Sequence, residues 1–164
     1  MLKINRRTDY AVRVGVALAK RPQGTRLPTQ VVQAEMQIPR PFLLRIISEL
    51  SRASLIQTFT GPTGGIQLAR PAKEITLLDI HQAMEEPLCL SDCLVAPGDC
   101  QLSSNCPVRL RWGRLQGVIR RELRRTTLWQ LAREALAVEA LDMQAQIPGL
   151  AGQDVVPEIE HRRF

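Results

Sequence analysis

The sequence predicts a mainly α protein with one small β-hairpin, and three observations predict it. Aromatic residues make up only 4% of the 164 residues, so the core must rest on Leu, Ile, Val and Ala, which suits packed helices. Apolar positions recur at spacings of three and four through much of the chain, the period of an amphipathic helix. The run Gly61-Pro62-Thr63-Gly64-Gly65 separates two short segments of alternating and β-branched residues, as a hairpin tip does.

Thr8 is placed to cap a first helix, with Asp9 in its first turn near the positive helix end. Ala11, Val12, Val14, Val16, Leu18 and Ala19 give that helix a mostly buried body, and Arg21-Pro22-Gln23-Gly24 stops it. A second short helix begins at Pro28, carries Val31, Val32 and Ala34, and ends near Met36. After the turn Gln37-Ile38-Pro39-Arg40-Pro41, a third helix runs over about 41–53. Its apolar face is Phe42, Leu43, Ile46, Ile47 and Leu50, with Arg45, Ser48, Glu49 and Arg52 largely off it. Strands follow at 55–60 and 66–69. Three helices and a hairpin make a winged helix-turn-helix, in which the third helix enters the major groove and the hairpin tip reaches an adjacent groove or the backbone.

A fourth short helix spans 76–85, with Thr76 as its cap. A loop rich in Pro, Gly, Ser and Asp then holds all four cysteines, Cys89, Cys93, Cys100 and Cys106. A long helix starts at Pro107. On it Val108, Trp112, Leu115, Ile119 and Leu123 repeat at spacings of four, three, four and four, a narrow seam of the kind that packs on a partner helix. Gly113 and Gly117 sit four apart, which permits close backbone approach. Thr127 with Gln130 forms a capping box for a last helix to about Met143. The organisation is thus a DNA-binding domain at 1–85, a cysteine loop at 86–106, a dimerisation helix and its follower at 107–147, and a loose tail at 148–164.

Charge divides the chain as the elements do. Residues 1–80 hold 12 Lys and Arg against 5 Asp and Glu, and residues 81–164 hold 10 against 11. A basic half beside a near-neutral half is the pattern of a nucleic-acid-binding domain with a regulatory partner. No apolar run approaches the ~18 residues of a membrane span, and no signal peptide follows the basic start, so the expected compartment is the cytoplasm. Only His81 and His161 are histidines, and no Ser/His/Asp or paired-carboxylate arrangement supports catalysis. His81 reads as an exposed or partly packed residue, not a ligand.

Cys93-x6-Cys100-x5-Cys106 presents three thiolates on a short loop. Clustering in a reducing compartment favours metal or redox chemistry over structural disulfides. Iron–sulfur clusters are held mainly by Cys thiolates, whereas zinc prefers tight C-x2-C pairs, which are absent here. Cys106 also directly precedes the long helix, whose positive end lowers a thiolate pKa and stabilises an anionic cluster. Thiol or disulfide switching, and inert cysteines, are the alternatives. Cys89 reads as a bystander.

Four features in order resemble the Rrf-two family of winged-helix repressors over about residues 1–140. They are Thr8-Asp9-Tyr10-Ala11-Val12-Arg13, Gly61-Pro62-Thr63-Gly64-Gly65, Ile75-Thr76-Leu77-Leu78-Asp79-Ile80 and the three-cysteine loop. The resemblance implies a homodimer paired through the long helix, a palindromic double-stranded DNA operator, and regulation through an iron–sulfur cluster that senses nitric oxide, iron or redox state. Among the family's cluster-binding branches, the IscR branch has a histidine ligand three residues after the last cysteine, where this chain has Arg109. The NsrR branch has an Asp similar in position to Asp9, which implies Asp9 of the opposite subunit as fourth ligand; a plain helix-start carboxylate is the alternative. The spacing of Cys93 and Cys100 is similar to that of the RirA branch. The NsrR and RirA pattern implies a 4Fe–4S cluster in preference to 2Fe–2S. Many relatives carry Arg before the wing turn, and here that residue is Thr60. The DNA-contacting set is then Arg6, Arg7, Thr29, Arg40, Pro41, Phe42, Arg45, Arg52, Thr60, Gly61, Thr63 and Gly64. A cluster-free thiol regulator is the rival reading, and a non-DNA-binding iron–sulfur carrier is the third.

Overall fold

The computed structural model describes residues 4–85, 88–102 and 104–145. Its helices are α1 (Arg6–Ala19), α2 (Thr29–Met36), α3 (Arg40–Arg52), α4 (Leu77–Met84), α5 (Pro107–Arg125) and α6 (Leu128–Ala145). The strands β1 (Ile56–Phe59) and β2 (Gly65–Leu68) lie between α3 and α4, and single 3-10 turns occur at Ala72–Glu74, Asp92–Leu94 and Pro97–Asp99. This is the mainly α, winged helix-turn-helix architecture the sequence predicts. The tail at 148–164 lies outside the described residues.

α1 is the axis of the core, packing on α2, α3, α4 and α6. It starts earlier than the sequence suggests. Asn5, in extended conformation, accepts a hydrogen bond from the Thr8 backbone N–H at 2.8 Å and so caps the helix. Thr8 is therefore inside the first turn, buried, and its hydroxyl donates to the Glu85 carboxylate. α2 begins at Thr29, with Pro28 in the capping position instead of the first helical one. At its far end Gln37 takes a left-handed conformation, φ 51°, and turns the chain into α3. Pro39 and Pro41 stand where a helix start has no N–H to lose.

Leu43, Ile46, Ile47 and Leu50 bury the inner face of α3 as the spacing predicts. Phe42 does not join them: it is 48% exposed and meets the Tyr10 ring edge-on, centroids 6.1 Å apart. It lies at the flank of the apolar stripe, beside α1. Burying each Leu or Ile of such a core stabilises by about 1.5–3 kcal/mol.

β1 and β2 pair antiparallel, Ile56 opposite Leu68 and Phe59 opposite Gly65. Leu27 adds a third strand-like bridge, exchanging hydrogen bonds with Ile66 at 2.9 and 2.8 Å. That bridge requires glycine at position 65. Its φ is +154°, and a Cβ there would stand 2.4 Å from the Leu27 carbonyl oxygen.

Thr76 and Asp79 form a capping box at α4, and Thr127 with Gln130 does the same at α6. The two starts are joined: Leu77 N–H donates to Thr126 O and Leu128 N–H to Ile75 O, both at 2.9 Å. α6 thereby returns onto the DNA-binding domain and inserts Leu128 against Gly15 of α1. His81, expected to be exposed or partly packed, is 5% exposed, and its Nδ1 is buried without a hydrogen-bond partner among the described residues. α5 has no buried residue. Among the described residues no helix is long and apolar enough to cross a membrane.

Candidate functional site

The outer face of α3 is built by exclusion. Once Leu43, Ile46, Ile47 and Leu50 are buried, the 3.6-residue period leaves Pro41, Arg45, Ser48 and Arg52 pointing away, with Arg40 at the helix start. Arg40, Arg45 and Arg52 are exposed, and among the described residues none forms an ion pair with a carboxylate. Arg52 reaches only the Ser48 hydroxyl, at 3.5 Å. Unneutralised arginines on a protruding helix are suited to base edges and phosphates.

Beside them a groove of about 560 Å³ runs between the start of α2, α3 and the wing, lined by Thr29, Gln30, Leu44 and Ile47 and by Gly61, Pro62 and Gly64 at the hairpin tip. Thr29 is the first residue of α2, where backbone N–H groups are free to meet a phosphate. Thr60, Gly61 and Thr63 are exposed at the tip; Gly64 is partly covered.

Two residues of this surface were not found from the sequence. Leu44 is 52% exposed, lines the groove beside the wing, and looks like a core residue by type. Arg26 stacks over the Phe59 ring, 3.7 Å from its centroid, and braces the wing from the loop before α2. No local pattern links residues 26 and 59.

Arg6 is exposed, whereas Arg7 turns inward. Its guanidinium donates to the Met84 carbonyl at 2.6 Å and pairs with Glu49 of α3 at 3.3 Å. With the Thr8–Glu85 bond, this ties α1 and α3 to the end of α4, just before the cysteine loop. Asp9 pairs with Arg13 at 2.8 Å, one turn along the same helix, and both are about half exposed.

The cysteine loop is fastened to α5 at two points. Leu90 N–H donates to the Gln116 side chain and Arg109 Nε donates to the Cys93 carbonyl, each at 3.0 Å. Cys106 stands in the N-cap position of α5 without a side-chain capping bond, and a hollow of about 380 Å³ lined by Leu94, Cys106, Arg109 and Gly113 opens beside it. All four cysteines are free thiols; Cys89 and Cys100 are exposed, Cys93 and Cys106 partly covered. Cys93 Sγ lies 3.2 Å from the Ser91 hydroxyl. Among the described residues no three Cys, His, Asp or Glu side chains stand close enough to hold a metal ion. The donor set, three soft thiols of which Cys106 stands at a helix N-terminus, is right in kind for an iron–sulfur cluster, but the described residues do not bring the three together.

A winged helix-turn-helix with a cationic reading helix and a wing defines a DNA-binding transcription regulator. Residues 4–134 match the Rrf2 family of iron-dependent transcriptional regulators, and the chain belongs to that family. It is 32% identical over 136 residues to a protein of Mycobacterium tuberculosis named as an HTH-type transcriptional regulator, covering 82% of this chain and 84% of that one. Its fold is similar to the oxidized form of Staphylococcus aureus CymR, at 26% identity and TM-score 0.62, covering 80% of this chain and 96% of that one. The fold is also similar to T. potens IscR, at 21% identity and TM-score 0.65, covering 93% and 94%.

Proposed function

We propose that the protein is a homodimeric repressor of a palindromic operator whose DNA affinity is set by chemistry at Cys93, Cys100 and Cys106. The observation that carries this reading is the fastening of the Cys93 turn to α5 by Arg109, one helical turn past Cys106. Any reaction that draws these thiols together pulls on the helix proposed to join the two subunits.

An iron–sulfur cluster held by the three cysteines, with Asp9 of the second subunit as fourth ligand, is the first form of that chemistry. A 4Fe–4S cluster is the favoured type. When bound, it supplies iron that reacts with nitric oxide or oxygen, or is lost when iron is scarce. The family's iron dependence and the thiol donor set support it. For this role Asp9 would have to exchange its ion pair with Arg13 for the cluster. Thiol–disulfide switching without metal is the second form, favoured by the exposure of Cys89 and Cys100 and by an oxidised form of a related regulator.

In either form the signal has a short path to the reading head. Glu85 and Met84, at the loop entrance, are held by Thr8 and Arg7, and Arg7 holds Glu49 of α3. A coupling of about 1–3 kcal/mol along this path changes operator affinity about 5- to 150-fold.

Anaerobic purification with iron and sulfide analysis separates the two forms. A brown protein with about four iron and four sulfide per chain, colourless in Cys93→Ala, Cys100→Ala and Cys106→Ala, establishes the cluster. An iron-free protein after reconstitution, with an oxidant-dependent thiol count, establishes the thiol switch. Operator affinity unchanged by both treatments would remove the sensing role and leave a plain DNA-binding regulator.

A further inference from the structure

We propose that the hollow between the α1–α2 loop, the Ala72–Glu74 turn and the start of α6 is a binding site for a small monocarboxylate with an apolar body. The hollow measures about 320 Å³. That is the small end of the ~300–1,000 Å³ range of small-molecule sites and admits one short branched chain or one ring. None of its lining residues belongs to α3, to the wing tip or to the cysteine loop, so it is separate from both surfaces described above.

Its walls set the chemistry. Leu18 and Ala19 at the end of α1, Leu68 of β2, Ala72 and the Trp129 ring give an apolar lining, held by chain turns at Pro22 and Pro71. Two lining residues are cationic, and they differ. Arg21 is neutralised by Glu35 through two bonds of 3.0 and 2.7 Å, with a further bond to the Ala17 carbonyl. Lys73 faces no carboxylate within ion-pair distance among the described residues; its ammonium rests over Trp129, 4.8 Å from the ring centroid. Arg133 lies 4.9 Å from the same ring, likewise with no ion pair among the described residues.

A cation over an exposed ring is held weakly and exchanges it readily for a charge-assisted hydrogen bond. The site therefore offers one lining cation for an anion and apolar walls for the rest of the ligand. One cation matches a carboxylate; a phosphate dianion would be left half compensated. Because the walls come from both the DNA-binding domain and α6, an occupant bridges the two.

The test uses the full chain with Trp112→Phe, which leaves Trp129 as its single tryptophan. Its fluorescence is titrated with phenylacetate, with 4-methylpentanoate and with the uncharged phenylacetamide. The proposal expects a saturable change with at least one acid. It expects binding roughly tenfold weaker or worse for the amide and for Lys73→Gln, in keeping with loss of a charge-assisted bond. Ala72→Leu, which narrows the hollow, should also weaken it. No saturable response to either acid overturns the proposal, as does an amide that binds like the acid or a Lys73→Gln variant that binds like its parent. The outcome is independent of the cysteine chemistry, since the titration reads the same in cluster-free protein.

Discussion

Arg6 and Arg7 are neighbours that the fold sends in opposite directions. Both read from the sequence as phosphate contacts, because a basic pair at the start of a DNA-binding domain carries no mark of which side chain faces inward. The partners of Arg7 lie 42 and 77 residues away, beyond the reach of any local pattern. Glu49 Oε2 is buried without a partner even with Arg7 in place, so removing the guanidinium leaves the whole carboxylate uncompensated. Arg7→Ala should therefore lower stability by about 1–3 kcal/mol, the range for hydrogen bonds to charged groups and orphaned buried ones. Urea unfolding of the variant checks this. Arg6→Ala should leave stability within about 0.5 kcal/mol but weaken operator binding and flatten its dependence on salt, read by fluorescence anisotropy at several ionic strengths. If Arg7→Ala were the one that changed only the salt slope, its inward placement would be wrong.

At the scale of elements, α1 and α6 approach closely at Gly15. A Cβ at Gly15 would come within 2.8 and 2.9 Å of the two Leu128 methyl carbons, and Leu128 is only 1% exposed, with little room to move. Gly15→Ala gains about 1 kcal/mol of helix propensity yet should lower the melting temperature, because overpacking typically costs about 1–3 kcal/mol. Adding Leu128→Val to Gly15→Ala should recover part of that loss. Just past the end of α1, Lys20 reaches Glu35 of α2 at 2.5 Å and Glu139 of α6 at 2.7 Å, so one ammonium joins the end of α1 to both helices. The hydrogen bond from Arg21 holds the Glu35 carboxyl below its ordinary 4.5; burial opposes this, and Lys20 adds to it. A lowered carboxyl contributes stability above about pH 4.5 that is lost as pH falls through the depressed native value. Glu35→Gln should thus be less stable at neutral pH and lose less on acidification, measured by denaturation from about pH 6 to 3. The elements themselves were legible in the sequence, since burial imposes the period that reveals them: Leu43, Ile46, Ile47 and Leu50 fall where the spacing puts them. Their edges and flanks were less so. Asn5 and Thr8 are both good caps by type, and the Asn5 bond to the Thr8 N–H with the Thr8 bond to Glu85 decides between them; Phe42 is apolar but lies a helical quarter-turn outside the core stripe. The cysteines were visible as a set, while their attachment through Arg109 and Gln116 depends on the path of a loop that has no period.

At the scale of the whole molecule, the proposed homodimer rests on α5, which leaves an apolar stripe uncovered in the single chain. Val108, Trp112 and Leu115 are 55%, 42% and 44% exposed, and with the half-buried Ile119 and Leu123 they form one stripe on a helix with no fully buried residue. Its opposite side carries Arg114, Arg121 and Arg125, at positions that keep the charges in water when the stripe is covered. An exposed apolar stripe of this kind marks an interaction surface, and in the proposed homodimer a second copy supplies the matching stripe. The consequence for DNA is large. In a dimer the second half-site is bound at an effective concentration in the millimolar range, which raises overall affinity about 10²- to 10⁴-fold without a new contact. Leu115→Asp should therefore convert the protein to a monomer in sedimentation velocity and weaken binding to a two-half-site operator by a factor in that range. It should leave affinity for an isolated half-site nearly unchanged. The core is untouched by the substitution, since no residue of α5 belongs to it, so circular dichroism should stay that of the folded chain. A Leu115→Asp variant that remains dimeric would place the subunit contact elsewhere, with the exposed Leu136, Val138 and Leu141 of α6 the next surface to test.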